Sequence, residues 1–127
     1  MGKKLSEEIE EFMKENCPGP QLGRLSFIGH SLGGLIIRAA IPYLEKYKLK
    51  FHGFMTLCTP HLGCMFSQSK LLSTGIWVLK NLKKSHVLDQ LMMSDTADPK
   101  ESVLFKLSMT SRFDSFKHVV LVSSQQD

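Results

Sequence analysis

At 127 residues, with 43% hydrophobic and 22% charged residues, the chain has room for at most one ordinary globular domain. Its 16 Lys and Arg against 12 Asp and Glu give a net charge of only +4, and the basic residues are scattered, which argues against nucleic-acid binding. No apolar run approaches the roughly 18 residues of a membrane span. The three cysteines, Cys17, Cys58 and Cys64, lack a metal-ligand spacing, so we expect reduced, mostly buried thiols in an intracellular, cytoplasmic protein.

The first 50 residues predict a helix, a strand and a second helix. Apolar residues recur at helical spacing near the N-terminus: Leu5, Ile9, Phe12 and Met13. The Pro- and Gly-rich segment 17–23 ends this helix. The run RLSFIG at residues 24–29 predicts a buried strand, and a helix follows from Leu32 to Ala40. Pro42 then kinks or restarts that helix.

Two further apolar strands are predicted, with a long helical segment between them. They are FHGFMTLC at residues 51–58 and HVVLVSS at residues 118–124, and residues 65–110 predict helices and loops. Strands that are continuous apolar runs, joined by helices, are typical of an α/β fold. We therefore expect three parallel strands in a sheet that helices cover on both faces.

The segment Gly29-His30-Ser31-Leu32-Gly33 has the Gly-x-Ser-x-Gly form of a nucleophile elbow, placed between the first strand and the next helix. Such a turn holds its serine in a strained conformation. Side chains two residues before and after the serine would collide, so both positions favour glycine. The helix dipole stabilises negative charge near the serine, and the N–H of the next residue faces the developing oxyanion. The alternative is a glycine-rich turn with an idle serine.

Several stretches together resemble the putative serine esterase family, a lipase-like branch of the α/β-hydrolases. They are FIGHSLGGLIIRAA at residues 27–40, TLCTPHLG at 56–63 and VVLVSSQQD at 119–127. The segment LLSTGIWVLKNLKKSHVLDQLMMSDTADP at 71–99 is also similar to its counterpart in the family. The resemblance covers most of residues 24–127.

This resemblance implies a partial α/β-hydrolase that cleaves a carboxylic ester, with a lipid ester favoured, through an acyl-enzyme. It implies no metal or organic cofactor. By the same resemblance Ser31 is the nucleophile, Leu32 is an oxyanion donor, and Asp127 is the acid that orients the catalytic histidine. Esterase, thioesterase and acyltransferase activities share these residues and stay open.

No histidine follows Asp127, although the family order is Ser, then Asp or Glu, then His. We therefore expect residues 1–127 to be a single partial α/β-hydrolase domain, an internal fragment, with an insertion or lid-like segment at about 65–110. His61 follows the second strand near the same sheet edge as Ser31. It is expected to fix the loop beside the pocket, and a role as the base is the alternative. The other histidines are placed in the turn, at strand starts or in the insertion: His30, His52, His118 and His86.

The partner expectations follow from the insertion and from the sheet edge. Residues 77–93 interleave apolar side chains with lysines, which fits an amphipathic helix packed on the sheet or, alternatively, a helix that contacts a lipid surface. A truncated sheet leaves the strand at 24–29 with an unpaired apolar edge, which favours self-association. The alternative to an esterase is a catalytically inactive hydrolase fold that serves as a scaffold or interaction module.

Overall fold

The structure is a computed structural model that describes residues 1–63, 87–91, 93, 95–110 and 112–123. In chain order its elements are α1 (Gly2–Asn16), β1 (Leu25–His30), α2 (Leu32–Ala40), β2 (Phe51–Leu57), α3 (Val87–Leu91), α4 (Val103–Thr110) and β3 (His118–Val122). Short 3₁₀ segments lie at Gly19–Gln21, Ile41–Lys50, Pro99–Glu101 and Phe113–Ser115.

The described residues fall into two compact units. Those within Met1–Thr59 and Thr110–Val122 form the first unit, and those within Pro60–Met109 and Ser123–Asp127 form the second. The predicted single domain with an insertion stays a prediction, and much of the predicted insertion lies outside the described residues. In the second unit, a Cβ at Gly63 would lie 2.7 Å from the carbonyl oxygen of Leu91, so α3 packs closely on the loop that follows β2.

A three-stranded parallel sheet in the order β1-β2-β3 forms the first unit's centre. Phe27 of β1 pairs with Phe54 of β2, which in turn pairs with Val119 of β3. Long connections join the strands, as parallel pairing requires. The sequence-based prediction of three parallel strands flanked by helices is confirmed.

The pairing of β1 and β2 changes register near the start of β1, between Leu25 and Phe27. At this bulge the hydroxyl oxygen of Ser26 accepts a hydrogen bond of 3.1 Å from the N–H of Gly53, which keeps that donor satisfied. From Phe27 onward the pairing is regular. The last residue of β1 therefore lies beside Leu57, the last residue of β2.

Aromatic side chains dominate the core between the sheet and its covering segments. The rings of Phe51 and Phe116 stack with centroids 4.7 Å apart, and Phe27 meets both rings edge-on at 6.0 Å. Pairs of this kind add roughly 0.5–1.5 kcal/mol beyond the area they bury. Phe54 is almost fully buried against Phe113 and Phe116. This cluster fixes β1 and β2 relative to the segment that leads into β3.

Helices cover one face of β1. Phe27 and Gly29 point to the covered face, where a Cβ on Gly29 would lie 3.0 Å from Ile37 of α2. The opposite face is exposed, and Ile28 there keeps 71% of its surface in solvent. All five residues of β3 are exposed as well. The expectation of a sheet covered on both faces is therefore wrong for β1 and β3, because no described helix packs on the face of Ile28.

Helix α1 is confirmed, and three of the four apolar residues on its predicted face are buried or packed against the core: Leu5, Ile9 and Met13. Gly2, Ser6 and Met13 are buried, whereas Phe12 is 63% exposed. A Cβ on Gly2 would collide with the backbone of Ala39, so close packing against α2 decides which face is buried. Helical spacing alone placed Phe12 on the wrong face.

Helix α2 ends at Ala40, immediately before the segment that contains Pro42. The chain continues as tight helical turns over Ile41–Lys50, which are interrupted at Leu44 by a φ of −102° and a ψ of 16°. The predicted kink or restart is therefore present.

Candidate functional site

Ser31 forms the turn between β1 and α2 and holds an unusual backbone conformation. Its φ is 51° and its ψ is −126°, a backbone conformation that residues other than glycine rarely adopt. Conformations of this kind cost of order 1–3 kcal/mol and persist only where their surroundings hold them. Ser31 occupies the N-cap position of α2, yet its side chain makes no capping hydrogen bond. Ser31 is partly exposed, and its hydroxyl does not cap the helix.

Hydrogen bonds to both sides of the Ser31 peptide hold this turn. Its N–H donates to the carbonyl of Leu57 at 2.9 Å, which extends the pairing of β1 with β2 by one residue. Its carbonyl accepts from the N–H of Gly34 at 3.2 Å and from Oγ1 of Thr59 at 2.9 Å. The turn is therefore fixed by its own helix, by the neighbouring strand and by the loop after that strand.

Sequence reasoning did not single out Thr59 as a site residue. Its signal lay in TLCTPHLG, a polar stretch directly after a buried strand. Its hydrogen bond to the carbonyl of Ser31 depends on β1 and β2 being neighbours in the sheet, and a local sequence pattern does not predict which strands are neighbours.

The glycines around Ser31 differ in what they contact. A Cβ at Gly29 would lie 2.6 Å from Cα of Gly34, so only glycine lets β1 and α2 approach this closely. A Cβ at Gly34 would collide with the side chain of Thr59. At Gly33, by contrast, a Cβ would have no heavy atom within 4 Å in the described part of the chain. The collision expected at Gly33 is not found, and Gly34 is the crowded position instead.

Leu32 is the first residue of α2 and follows Ser31 directly. The first N–H groups of a helix have no acceptor within the helix, and the helix dipole places partial positive charge there. The Leu32 N–H therefore lies where it can face an anion formed at Ser31. Its function as an oxyanion donor stays a prediction.

A second residue with a strained backbone directly follows the carboxyl end of β2. Cys58 also has a φ of 51°, and its N–H donates to the carbonyl of Val122 at 2.8 Å. Ser31 and Cys58 directly follow the neighbouring strands β1 and β2. Two adjacent strands are therefore each followed by a residue with a positive φ at the carboxyl edge of the sheet. In open α/β sheets, ligands bind at this edge.

The remaining predicted site residues are placed as follows. Asp127 and His86 lie outside the described residues, so the assignment of Asp127 as the acid stays a prediction. His61 lies in the turn after β2, in the second unit, and its function also stays a prediction. His30 is the exposed last residue of β1.

His52 and His118 lie at the amino ends of β2 and β3, as predicted. Their rings are 5.0 Å apart and meet at 68°. Leu57, beside which Ser31 lies, is the fifth residue after His52, a span of about 16 Å along a strand. Neither ring is within hydrogen-bonding reach of Ser31.

Burial lowers the pKa of His52, and repulsion from Arg24, His118 and Lys117 lowers it further. Basic side chains therefore lie close to His52 at the edge of the sheet opposite Ser31.

The described residues hold neither a metal-binding group of side chains nor a helix that could span a membrane. Among them, no three His, Cys, Asp or Glu side chains are grouped to hold a metal ion. No helix in these same ranges is long and apolar enough to cross a membrane. Cys17 and Cys58 are partly exposed rather than buried, and neither forms a disulfide. Cys64 lies outside the described residues, and the cytoplasmic location stays a prediction.

Comparison with known proteins agrees with the resemblance drawn from the motifs. The chain is 34% identical over 84 residues to a Saccharomyces cerevisiae protein named "Putative lipase ROG1". That match covers 58% of this chain but only 12% of the yeast protein. No solved structure matches the chain. The model of the family described as "Putative serine esterase (DUF676)" matches residues 1–127, and this chain therefore belongs to that family.

Proposed function

We propose that Ser31 is the nucleophile of a serine esterase that cleaves a carboxylic ester, with a lipid ester as the favoured substrate. The observation that carries this proposal is the strained turn. Ser31 is held at a positive φ, at the start of α2, with a hydroxyl that caps no backbone group. An idle serine in this position would be expected to relax or to cap the helix.

The reaction uses Ser31 twice. Its Oγ attacks the ester carbonyl carbon while a histidine takes the hydroxyl proton, and the resulting oxyanion faces the N–H of Leu32. The carbon–oxygen bond to the alcohol then breaks, and the histidine gives its proton to the leaving oxygen. Water attacks the acyl-enzyme with the same histidine as base, which releases the carboxylic acid and restores Ser31. Asp127 orients the histidine.

We place the catalytic histidine outside residues 1–127. His52 and His118 lie at the wrong edge of the sheet, and His30 is part of β1 itself. His86 belongs to the predicted insertion and lies outside the described residues. His61 is the alternative base. Family membership and the name of the yeast relative support an ester or lipid substrate. By the family resemblance, the insertion at about 65–110 supplies a lid or acyl-binding wall, and contact of segment 77–93 with a lipid surface is the alternative to packing on the sheet. Much of this insertion lies outside the described residues.

The rival proposal is a catalytically inactive hydrolase fold that serves as a scaffold. The strained Ser31 argues against it, since a scaffold has no use for the cost of that conformation. The reading frame beyond Asp127 separates the two proposals. A histidine codon some tens of residues downstream supports the esterase, and a stop codon directly after Asp127 supports the scaffold.

Ester turnover tests the proposal directly. In a protein that supplies the histidine, Ser31→Ala should abolish turnover of a short-chain nitrophenyl ester. Ser108→Ala, at an exposed position of α4, is the matched control and should leave turnover unchanged. Turnover that survives in Ser31→Ala would exclude Ser31 as the nucleophile.

Residues 1–127 by themselves should show no Ser31-dependent turnover, because a serine hydroxyl without a base is a poor nucleophile. A monodisperse chain whose activity vanishes in Ser31→Ala would instead make His61 the base.

A further inference from the structure

Four basic side chains meet at the amino edge of the sheet, opposite Ser31. Arg24 directly precedes β1, and His52 is the second residue of β2. Lys117 directly precedes β3, and His118 is the first residue of that strand. Parallel strands bring their amino ends to one edge, and the pairing of Gly53 with His118 places the two imidazole rings 5.0 Å apart. We call these four residues the basic cluster.

The basic cluster has no carboxylate partner among the residues that the structure describes. Elsewhere in the chain, charged groups do pair: Lys46 contacts Glu10 at 2.8 Å, and Lys106 contacts Glu101 at 2.8 Å. Within the described ranges, no Asp or Glu oxygen lies within 4.0 Å of a cluster nitrogen. In the described part of the chain, Arg24, Lys117 and the two histidines thus form a patch without a neutralising carboxylate.

The cluster members remain accessible to a ligand. Arg24, Lys117 and His118 are exposed, and His52 is partly exposed. After burial, repulsion from Arg24, His118 and Lys117 lowers the pKa of His52, so these groups lie near its imidazole. An anion placed among them would remove this repulsion and would gain hydrogen bonds from charged donors, which are the strongest kind.

We propose that the basic cluster binds a doubly charged phosphate group, either as a free phosphate or as the phosphomonoester headgroup of a lipid. A phosphate monoester carries about −1.5 to −2 charges at neutral pH and offers three acceptor oxygens. The planar guanidinium of Arg24 matches two of these oxygens, Lys117 supplies a point charge, and the two imidazoles supply ring N–H donors. This ligand fits the number and kind of donors better than a single carboxylate does.

This site is separate from the proposed esterase centre. The two lie at opposite edges of one sheet, about 16 Å apart along β2. A phosphate held at the amino edge is therefore not the ester that Ser31 attacks, and the inference stands whether or not Ser31 is a nucleophile.

Chemical protection of the histidines tests the inference on the whole chain. Diethylpyrocarbonate modifies accessible neutral imidazoles, and peptide mapping by mass spectrometry reads each histidine separately. Inorganic phosphate should slow modification of His52 and His118 saturably, relative to chloride at equal ionic strength. His30, at the opposite edge, is the internal control and should react at an unchanged rate.

Matched lysine variants show whether the cluster is responsible. Lys117→Gln should weaken phosphate protection about tenfold, as the loss of one charge-assisted hydrogen bond predicts. Lys14→Gln, at an exposed position in the last turn of α1, should leave protection unchanged. Both positions are exposed, so both variants are expected to fold.

Vesicles distinguish the two sources of the phosphate. Stronger cosedimentation with phosphatidic acid than with phosphatidylglycerol, in phosphatidylcholine vesicles of equal charge, supports a lipid headgroup. Protection by inorganic phosphate without that preference supports a free phosphate. If phosphate gives no saturable protection and the vesicles show no preference, the inference is overturned. Equal loss of protection in Lys14→Gln and Lys117→Gln would also overturn it.

Discussion

Ser31 has a φ of 51°, which is unfavourable for a residue with a side chain. The free-energy cost of this conformation can be measured. Glycine adopts this conformation without strain, so Ser31→Gly should have a free energy of unfolding about 1 kcal/mol above that of Ser31→Ala. Both variants lack the hydroxyl, so the comparison isolates the backbone. Urea denaturation at one protein concentration measures the difference. If the alanine variant is equally stable, the turn is not strained in solution.

Gly29 and Gly33 flank Ser31 symmetrically in sequence but not in space. A Cβ at residue 29 would lie 2.6 Å from the backbone of Gly34, whereas at residue 33 it would meet no described atom within 4 Å. Gly29→Ala should therefore lower the free energy of unfolding by about 2 kcal/mol or more, through overpacking. Gly33→Ala should be neutral or raise it by up to about 1 kcal/mol, since alanine favours helix. Thermal and urea denaturation measure the stability of both variants. A Gly33→Ala variant less stable than Gly29→Ala would contradict the prediction.

The pKa of His52 gives a prediction with a definite sign. Burial and then repulsion from Arg24, His118 and Lys117 lower this pKa below its ordinary value of 6.5. The folded chain then binds fewer protons than the unfolded chain between the lowered pKa and pH 6.5. The contribution of neutral His52 to the free energy of unfolding is present above pH 6.5. It should be lost as the pH falls from 6.5 through the lowered pKa.

Lys117→Gln should raise the pKa of His52, because it removes one source of repulsion. An NMR titration of the imidazole measures this value. An unchanged pKa in Lys117→Gln would show that the lysine does not act on His52.

At this residue scale the sequence predicted part of the site. Gly29 and Ser31 follow from a local motif whose backbone demands are known. Gly34 and Thr59 do not, because the contact between them depends on the pairing of β1 with β2. Phe12 was misplaced for a similar reason, since close packing of Gly2 against Ala39 decides which face of α1 is buried.

At the scale of whole elements, β3 is the most exposed apolar part of the sheet. Val119, Val120, Leu121 and Val122 keep 40–54% of their surfaces in solvent. These side chains alternate between the two faces, so both faces of β3 are open. An apolar edge strand of this kind favours pairing with another chain.

Self-association through the open edge of β1 stays a prediction, and the exposure of β3 leads us to predict that residues 1–127 also self-associate through β3. Leu121→Lys places a charge on the strand and should reduce association, as measured by light scattering. Leu49→Lys is the matched control because Leu49 is 92% exposed but lies outside the sheet. A similar reduction in both variants would assign the association to general surface hydrophobicity instead of β3.

The positions of the elements themselves were well predicted from apolar runs and breaker residues. The apolar runs of β1, β2 and β3 and the helix break near Pro42 all appear at the expected places. The exposure of β3 was not foreseen, since a continuous apolar run indicates burial without saying what provides the cover. The register change at Ser26 also had no local signal.

In the molecule as a whole, the parallel strands place different chemical groups at the two edges of the sheet. The carboxyl edge carries Ser31 and Cys58 in strained backbone, and the amino edge carries the basic cluster. The family and the parallel sheet were predictable because short motifs and apolar runs determine them. The partners of Ser31 were not, because a catalytic base is defined by distances that only a complete fold sets.

The central claim is that the turn makes Ser31 a nucleophile, and covalent labelling tests it most directly. Residues 1–127 would be incubated with a fluorophosphonate, and the modified serine would be mapped by mass spectrometry in the wild-type chain and in Ser31→Ala. We predict slow labelling that is selective for Ser31 and absent from the variant, because the turn and the α2 N-terminus are present without a base. Labelling spread equally over Ser31 and exposed serines such as Ser108, or no labelling of Ser31, would contradict the account.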